Sequence, residues 1–307
     1  MRALSRAVIA GSALGLLAGC SHDWEAYLPR GEPSGATSSG GAGGTTGVGG
    51  RGGAGGAGGQ GGTGTGGGGG IGAGLPRGEC PDLAGPPLVL VGTEGGIASC
   101  VDATEVTNGH YLAWLDQMPT NDDAPGECLG NSTFVPSSGW PPNPVDQYYP
   151  VTFVDWCDAL AYCTANGKRL CGEIDGTSSP WDSYKDAKQS EWFNACSASG
   201  TRTYPYEGFY SPVACNGTEL EISGPLPVGQ LESCNGGFPG LFDMSGNVSE
   251  WENACQSVTG MSDPCRIRGG AFISGSASLQ CAAENSFARE SSNASVGFRC
   301  CAAALPD

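Results

Sequence analysis

The chain has 307 residues and carries 31 Asp and Glu against 14 Lys and Arg, a formal net charge of −17. Phosphate contact needs a basic face, so this balance argues against a nucleic-acid partner. The sequence has 15 cysteines but only two histidines, His22 and His110, and no close Cys-x-x-Cys pair. Neither a three-His site nor a Cys/His zinc site can be assembled from such a set.

Residues 1–20 have the features of a bacterial lipoprotein signal peptide. Arg2 and Arg6 form a basic start, and the apolar run at 8–17 is too short to span a bilayer. Leu-Ala-Gly-Cys at 17–20 resembles a lipobox, which predicts lipidation of Cys20. The alternative is an ordinary secretory signal that contains a cysteine. Lipidation predicts a membrane anchor in the cell envelope, and Ser21 after the cysteine favours the outer membrane.

Residues 21–79 are predicted to form a disordered linker, because from residue 31 onward they are mainly Gly with Ser, Thr and Ala. Such a composition buries too little apolar surface to offset its ordering entropy. About 50 residues of this kind have a mean reach on the order of 40 Å. The linker would hold a following domain clear of a membrane surface.

Residues 80–307 have a length that suits one globular domain. Setting Cys20 aside from the 15 cysteines leaves 14, an even number, behind an export signal. We therefore expect an exported domain stabilised by disulfide bonds. Few charged residues with many Gly and Pro predict a loop-rich α+β fold with little regular secondary structure.

Three elements are predicted in the first half of this domain. Residues 88–91 read as a short buried strand, and Thr107 is the expected N-cap of a helix to about Met118, which Pro119 ends. Residues 121–150 predict a long surface loop. The strongest helix pattern covers 150–163, with Thr152 as N-cap, Asp155 in a capping-box position and Gly167 as the stop.

The stretch 240–251 combines apolar anchors with a tight corner at Gly246-Asn247. Asp243 and Glu250 stand on either side of that corner and can face one another only if the backbone folds back between them. Two carboxylates around inward-pointing carbonyls suit a hard cation such as calcium. The alternative is a structural turn with two solvated acids.

Three motifs in order resemble the formylglycine-generating enzyme family, the sulfatase-modifying factors. They are Gly-Leu-Phe-Asp-Met-Ser-Gly-Asn-Val-Ser-Glu-Trp at 240–251, Arg-Gly-Gly-Ala-Phe at 268–272 and Gly-Phe-Arg-Cys at 297–300. Stretches at 100–108, 150–163, 189–196 and 204–206 resemble earlier family signatures, so the resemblance spans about residues 86–303. It implies an irregular, disulfide-stapled α+β fold related to C-type lectin-like folds, with a helix at 189–196.

The resemblance also implies metal ligands. At the corner the family binds calcium through the positions of Asp243, Gly246, Val248 and Glu250, all suitably filled here. For the family's second calcium site, the matching positions are Asn216 and Gly217. The loop carrying the remaining acid is shorter in this chain, which leaves Glu219 or Glu221 as substitutes.

The family's catalytic copper is held by two cysteines five residues apart, after the Arg-Gly-Gly-Ser signature. Here no cysteine occurs between Arg268 and Cys281. When the chain is aligned from the Arg-Gly-Gly motif, the first redox position falls on Ser274. When it is aligned from Cys281, the two redox positions fall on Ala271 and Ser276. Copper(I) prefers soft thiolates, so copper is not expected.

Four further cysteines of this chain match structural, disulfide-bonded cysteines of the family. The resemblance implies the disulfides Cys163–Cys300 and Cys196–Cys281. Proximity in the sequence alone adds Cys255–Cys265.

Together these features predict a surface-tethered lipoprotein whose domain is a non-catalytic binding or structural module, with an unidentified protein or glycan as ligand. The alternative is an oxidase of the family that acts on protein cysteine in sulfatases through another cysteine pair. A free-thiol count separates the two, because an oxidase needs two reducible, accessible thiols.

Overall fold

Two four-stranded sheets, assembled from strands far apart in the sequence, form the frame of the domain. The computed structural model describes residues 78–93, 96, 98–122 and 124–306, so Cys20 and most of the predicted linker lie outside the described residues. The strands are β1 (Leu88–Gly92), β2 (Ala98–Asp102), β3 (Arg169–Leu170), β4 (Ser249–Cys255), β5 (Pro264–Arg268), β6 (Asn285–Ala288), β7 (Val296–Phe298) and β8 (Cys300–Ala303). The α-helices are α1 (Asn108–Leu115), α2 (Trp156–Ala165) and α3 (Glu191–Ser197).

The strand orders are β1-β2-β8-β3 and β6-β5-β4-β7. The strand pairs are antiparallel apart from β4 and β7, which run parallel. The predicted loop at 121–150 holds only short 3₁₀ turns among its described residues. The loop-rich α+β architecture expected from the sequence is therefore confirmed. Among the described helices, none has the length and apolarity needed to traverse a bilayer.

The first two predicted elements are confirmed with small changes. The strand expected at 88–91 is β1, an edge strand in which only Val91 is fully buried. Thr107 caps α1, since its hydroxyl accepts a hydrogen bond from the His110 amide at 3.2 Å. The helix ends at Leu115, before the predicted limit, and Met118 has a left-handed φ of 53°. The following Pro119 disfavours helical backbone at Met118.

The second helix begins later than predicted. Phe153 has a φ of 59°, which a helix cannot include, so Thr152 is not the cap and residues 150–155 are not helical. Asp155 is the N-cap, and its carboxylate accepts from the Asp158 amide at 2.9 Å. The Asp158 carboxylate accepts in return from the Asp155 amide at 3.0 Å, which completes a capping box. Gly167, with a φ of 72°, follows the helix end as expected.

The helix that the family resemblance placed at 189–196 is α3. It starts at Glu191, and the Ser190 hydroxyl accepts from the Phe193 amide at 3.0 Å. The helix ends at Ser197, and the C-cap residue Ala198 has a left-handed φ of 50°. The element is thus present, with both ends shifted by one or two residues.

Two hydrophobic cores lie on opposite sides of β8. Cys300 belongs to the core formed with α1, α2 and the second sheet, whereas Cys301 belongs to the core formed with α3 and the stretch 241–244. Neighbouring residues of a strand point to opposite faces, which explains why two adjacent cysteines serve different cores. Strand β8 therefore joins the two halves of the interior.

All 14 cysteines of the described residues are paired in seven disulfides. The three pairs expected from the sequence are among them. The complete set is Cys80–Cys100, Cys128–Cys157, Cys163–Cys300, Cys171–Cys301, Cys196–Cys281, Cys215–Cys234 and Cys255–Cys265.

The two disulfides at β8 should overlap in their effect on stability, because either bridge supplies part of the stabilisation that the other would give. Each spans a long stretch, 137 residues for Cys163–Cys300 and 130 for Cys171–Cys301. With one intact, however, the other closes only a loop of about 10 residues, worth about 3 kcal/mol in the chain-entropy model. We expect each paired Cys→Ala replacement to cost about 3 kcal/mol and the quadruple replacement about 7 kcal/mol, more than the sum. Urea unfolding of the three variants measures this coupling, and strictly additive costs would contradict the redundancy.

Candidate functional site

The corner at Gly246-Asn247 is built from two consecutive left-handed residues, with φ of 79° and 58°. A Cβ on Gly246 would lie 2.4 Å from the Asn216 carbonyl oxygen, so this position accepts only glycine without a backbone shift. The Asn247 amide donates to the same carbonyl at 2.8 Å, and the Gly246 amide donates to Gly269 at 2.9 Å. The corner is thereby fixed between the stretch at 216 and the Arg-Gly-Gly motif.

The Asn247 side chain holds the corner to the rest of the domain. Its amide group donates to the Glu105 carboxylate at 3.0 Å, and its carbonyl accepts from the Leu226 amide at 2.8 Å and from Asn216 at 3.2 Å. Both Asn247 and Glu105 are fully or almost fully buried. We call the set Glu105, Asp243, Asn247 and Glu250 the acidic corner.

Glu250 lies near enough to Asp243 for its charge to raise the pKa of Asp243, and both of its carboxylate oxygens bind Arg299. The guanidinium donates from Nε to Oε2 and from Nη2 to Oε1, each at 2.7 Å, and the Trp192 indole donates to Oε2 at 2.7 Å. The remaining donors of Arg299 reach the Asp102 and Phe242 carbonyls at 2.9 and 2.8 Å. The pair is almost completely buried.

Asp243 and Glu105 form a second acidic contact beside this pair. The Asp243 carboxylate accepts a hydrogen bond from the Gly229 amide, and it lies close enough to Glu105 for the two charges to interact. Burial raises the pKa of Asp243 to about 6 and that of Glu105 well above its usual range, and the Asp243 charge raises the Glu105 value further. Three buried acids thus surround one arginine, and the corner is short of positive charge.

This shortage fits a cation. One oxygen of Glu105 and the side-chain oxygen of Asn216 are buried without a hydrogen-bond partner in the described residues. The same residues contain no group of three or more His, Cys, Asp or Glu side chains arranged to hold a metal, so calcium here would also need carbonyl ligands. Glu250 is the acid least free to bind it, because Arg299 and Trp192 already occupy its oxygens.

The second predicted calcium position is only partly assembled. Asn216 and Gly217 lie against the corner, as the contact of Asn216 with Gly246 shows. Glu219 instead accepts a hydrogen bond from the Tyr210 hydroxyl at 2.6 Å, and Glu221 is exposed. Neither substitute acid is seen to join Asn216.

The segment 268–280, where the family carries its redox cysteines, forms a tight loop without a thiol. The Ser274 hydroxyl accepts from the Ala271 amide at 3.0 Å, and the Ser274 carbonyl accepts from the Thr218 amide at 3.0 Å. The Ser276 carbonyl accepts from the Tyr204 hydroxyl at 2.9 Å. Cys281, directly after the loop, is 1% exposed and bonded to Cys196. With every described cysteine oxidised and no thiol at Ala271, Ser274 or Ser276, these residues do not fit copper(I).

Three parts of the site were not predicted from the sequence: Glu105, Arg299 and a group of tyrosines beside the loop. Glu105 was visible only as part of the stretch 100–108, and Arg299 only as part of Gly-Phe-Arg-Cys. For Arg299 the available signal was a base among the apolar residues of 296–301, since such residues are rarely buried unless paired; Glu105 has polar neighbours and gave no such signal. The third contributor is an aromatic group beside the loop: Tyr204, Tyr206 and Tyr210, which we call the tyrosine cluster.

Comparison with known proteins agrees with this architecture. Residues 99–304 match the family model described as sulfatase-modifying factor enzyme 1-like domain. The chain is 30% identical over 184 residues to the formylglycine-generating enzyme of Mus musculus, covering 52% of this chain and 45% of that protein. It is 31% identical over 174 residues to the inactive C-alpha-formylglycine-generating enzyme 2 of Bos taurus, covering 51% of each.

The chain therefore spans about half the length of the curated relatives it matches. Among solved structures, the crystal structure of CarF covers 68% of this chain and 87% of its own, with 23% identity and a TM-score of 0.46. The family match extends over most of the described domain and includes both the acidic corner and the Arg-Gly-Gly loop. The chain belongs to the family of sulfatase-modifying factor enzyme 1-like domains.

Proposed function

We propose that this chain is a non-catalytic binding module of the family. The observation that carries the proposal is the loop at 268–280, which has Ser274, or Ala271 and Ser276, where the family's redox cysteines stand and has no free thiol among its neighbours in the described residues. Oxidation of a substrate cysteine through thiolate-bound copper needs two reducible thiols. Serine hydroxyls are hard, weak ligands for copper(I) and cannot cycle between thiol and disulfide.

The nearest sulfur to the loop in sequence does not substitute for the missing pair. Cys281 is buried and bonded to Cys196 in the interior, and a buried structural disulfide resists reduction. The name of the bovine relative shows that a protein described as inactive also exists in this family. What remains at the former catalytic position is a polar loop bordered by aromatic rings, which is suited to binding.

The purified chain is expected not to convert the cysteine of a sulfatase-derived peptide to formylglycine. The peptide would be incubated with copper(I), oxygen and reductant, and its mass compared with that of the thiol form. The mouse relative named formylglycine-generating enzyme serves as positive control. Conversion by this chain, abolished by Cys281→Ser, would overturn the proposal and favour the oxidase alternative.

The module is tethered, in our proposal, by a lipid on Cys20 at the outer membrane. The support is the lipobox-like sequence after a short apolar run, followed by a long Gly-rich stretch. Gly-rich chains of about 50 residues have a mean reach on the order of 40 Å, which would let the domain meet ligands at that distance from its anchor.

Metabolic labelling with a fatty-acid analogue should mark the wild-type chain and not Cys20→Ala. The thiol of Cys20 is the acceptor in this scheme, so removal of that single atom should abolish both label and membrane association. Ser21→Ala is the matched control and should label normally. Equal labelling of wild type and Cys20→Ala would exclude the anchor.

A structural calcium ion at the acidic corner is also part of the proposal. Asp243 and the carbonyls of Gly246 and Val248 would hold it, with Asn216 as a neighbouring donor, and the ion would neutralise the surplus of buried acids. Hard oxygen ligands around a cation would stabilise the corner against the repulsion between Glu105 and Asp243.

Chelation should therefore lower the thermal stability of the wild-type chain. Calcium at a hundredfold excess over its Kd stabilises by about 3 kcal/mol, which corresponds to a Tm shift of roughly 5–10 °C for a domain of this size. Asp243→Asn should be less stable and nearly insensitive to chelator, whereas the exposed control Asp182→Asn should behave as wild type. An unchanged wild-type Tm in chelator, with no calcium found by elemental analysis, would contradict a bound ion.

A further inference from the structure

The tyrosine cluster borders the loop at 268–280, which we call the serine loop, and lies on one short turn of the chain. The Tyr204 and Tyr206 rings stack with centroids 5.7 Å apart and an interplanar angle of 16°, and Tyr210 lies 5.4 Å from Tyr204. Tyr204 is buried, whereas Tyr206 and Tyr210 are partly exposed. On the same turn Phe209 is 67% exposed, and Ile273 in the serine loop is 65% exposed. Aromatic and apolar surface is thus concentrated at the position of the missing redox pair.

The three rings are fixed by their own hydroxyl groups. Tyr204 donates to the Ser276 carbonyl at 2.9 Å and Tyr210 donates to the Glu219 carboxylate at 2.6 Å. The Tyr206 hydroxyl accepts from the Ser211 amide at 3.3 Å. Each hydroxyl has a hydrogen-bond partner in the protein, so the rings need little further ordering when a ligand arrives. Such preorganisation lowers the entropic cost of binding.

Glu219 adds a hydrogen-bond acceptor beside the rings. It is exposed, and its Oε2 accepts from Tyr210. Its Oε1 faces Gly275 of the serine loop, at 3.9 Å from the place a Cβ would occupy there. Hydrogen bonding to Tyr210 fixes the carboxylate, which as an ionised acid can only accept. A ligand that meets both Glu219 and the rings must therefore combine an apolar surface with O–H or N–H donors.

The ring geometry argues against a cage for an ammonium group. A cation is held between aromatic faces that surround it, each centroid within about 6 Å. Tyr204 and Tyr206 are instead in nearly parallel contact with each other, which leaves no space between them. The exposed part of Tyr206 is consequently its other face or its edge. The cluster offers an angled aromatic platform, in which the Tyr210 ring is tilted 48° from Tyr204, with an acceptor at one side.

We propose that the tyrosine cluster and Glu219 bind a neutral pyranose ring, so that the module recognises a glycan. The C–H face of a pyranose is apolar and slightly electropositive, which complements the negative face of an aromatic ring. Its equatorial hydroxyls lie at the rim of the sugar and can donate to the Glu219 carboxylate. A neutral ligand also avoids repulsion by the chain's net charge of −17. The inference rests on the proposed non-catalytic function and names the ligand class for the same face.

The test uses the purified chain and three neutral disaccharides: cellobiose, lactose and α-mannobiose. Saturation-transfer NMR should detect binding of at least one, with transfer strongest to the protons of one ring face, and calorimetry gives its Kd. Tyr206→Ala and Tyr210→Ala should each weaken that binding about tenfold or more, since each removes part of the platform. Glu219→Gln should weaken it less, because the amide still accepts one hydrogen bond.

Phe287→Ala is the matched control, since Phe287 is a 40% exposed aromatic residue on β6, away from the cluster in the sequence. Its affinity should equal that of wild type, and Tm values of all variants establish that they are folded. The inference is overturned if none of the three disaccharides binds at millimolar concentration, if folded platform variants bind as wild type, or if an oligo-arginine peptide binds the cluster instead. Peptide conversion in the formylglycine assay would refute the proposed function, whereas absence of both conversion and sugar binding would refute only the glycan ligand.

Discussion

The buried ion pair between Glu250 and Arg299 is the interaction on which the rest of the structure depends. Glu250 lies in β4 of one sheet, and Arg299 is the single residue between β7 of that sheet and β8 of the other. Burying two charges costs several kcal/mol per ion, and only good geometry with satisfied donors offsets this cost. Here two guanidinium bonds, one indole and two backbone carbonyls meet that condition. Removal of either partner alone would leave an uncompensated charge in the interior.

The placement of the binding face follows from this pair. Arg299 binds the Phe242 carbonyl at the start of the corner, and the corner in turn bonds to the serine loop through Gly246 to Gly269 and Phe272 to Asn247. The side chains of the loop could therefore change without loss of the ion pair and the backbone hydrogen bonds that hold the loop in place. A scaffold that keeps the ion pair and the corner but has lost the thiols of the loop is a physically consistent result.

Local signals predicted the domain well where a structure depends on neighbours in the sequence, as with the Thr107 cap and the turn at Gly246. They failed where distant segments decide. Phe153 is held in its left-handed conformation by bonds to Ser137 and Asn293, which shifts the start of α2. Glu250 pairs with a residue 49 positions later, and Asn247 with one 142 positions earlier. Such partners depend on strand order, which spacing along the chain does not reveal, and the family resemblance supplied the fold but not these contacts.

The two adjacent cysteines of β8 have a consequence for how the chain matures. Cys300 and Cys301 face different cores, and their partners Cys163 and Cys171 lie on opposite sides of the same sheet. Exchange of the two partners would require β8 to turn over, which would place the side chains of each face in the core that belongs to the other. Oxidation of the unfolded chain cannot distinguish the two thiols, whereas the paired strand can. Native bridging at this strand is thus an outcome of folding, and in an oxidising compartment the chain depends on thiol–disulfide exchange until β8 has found its register.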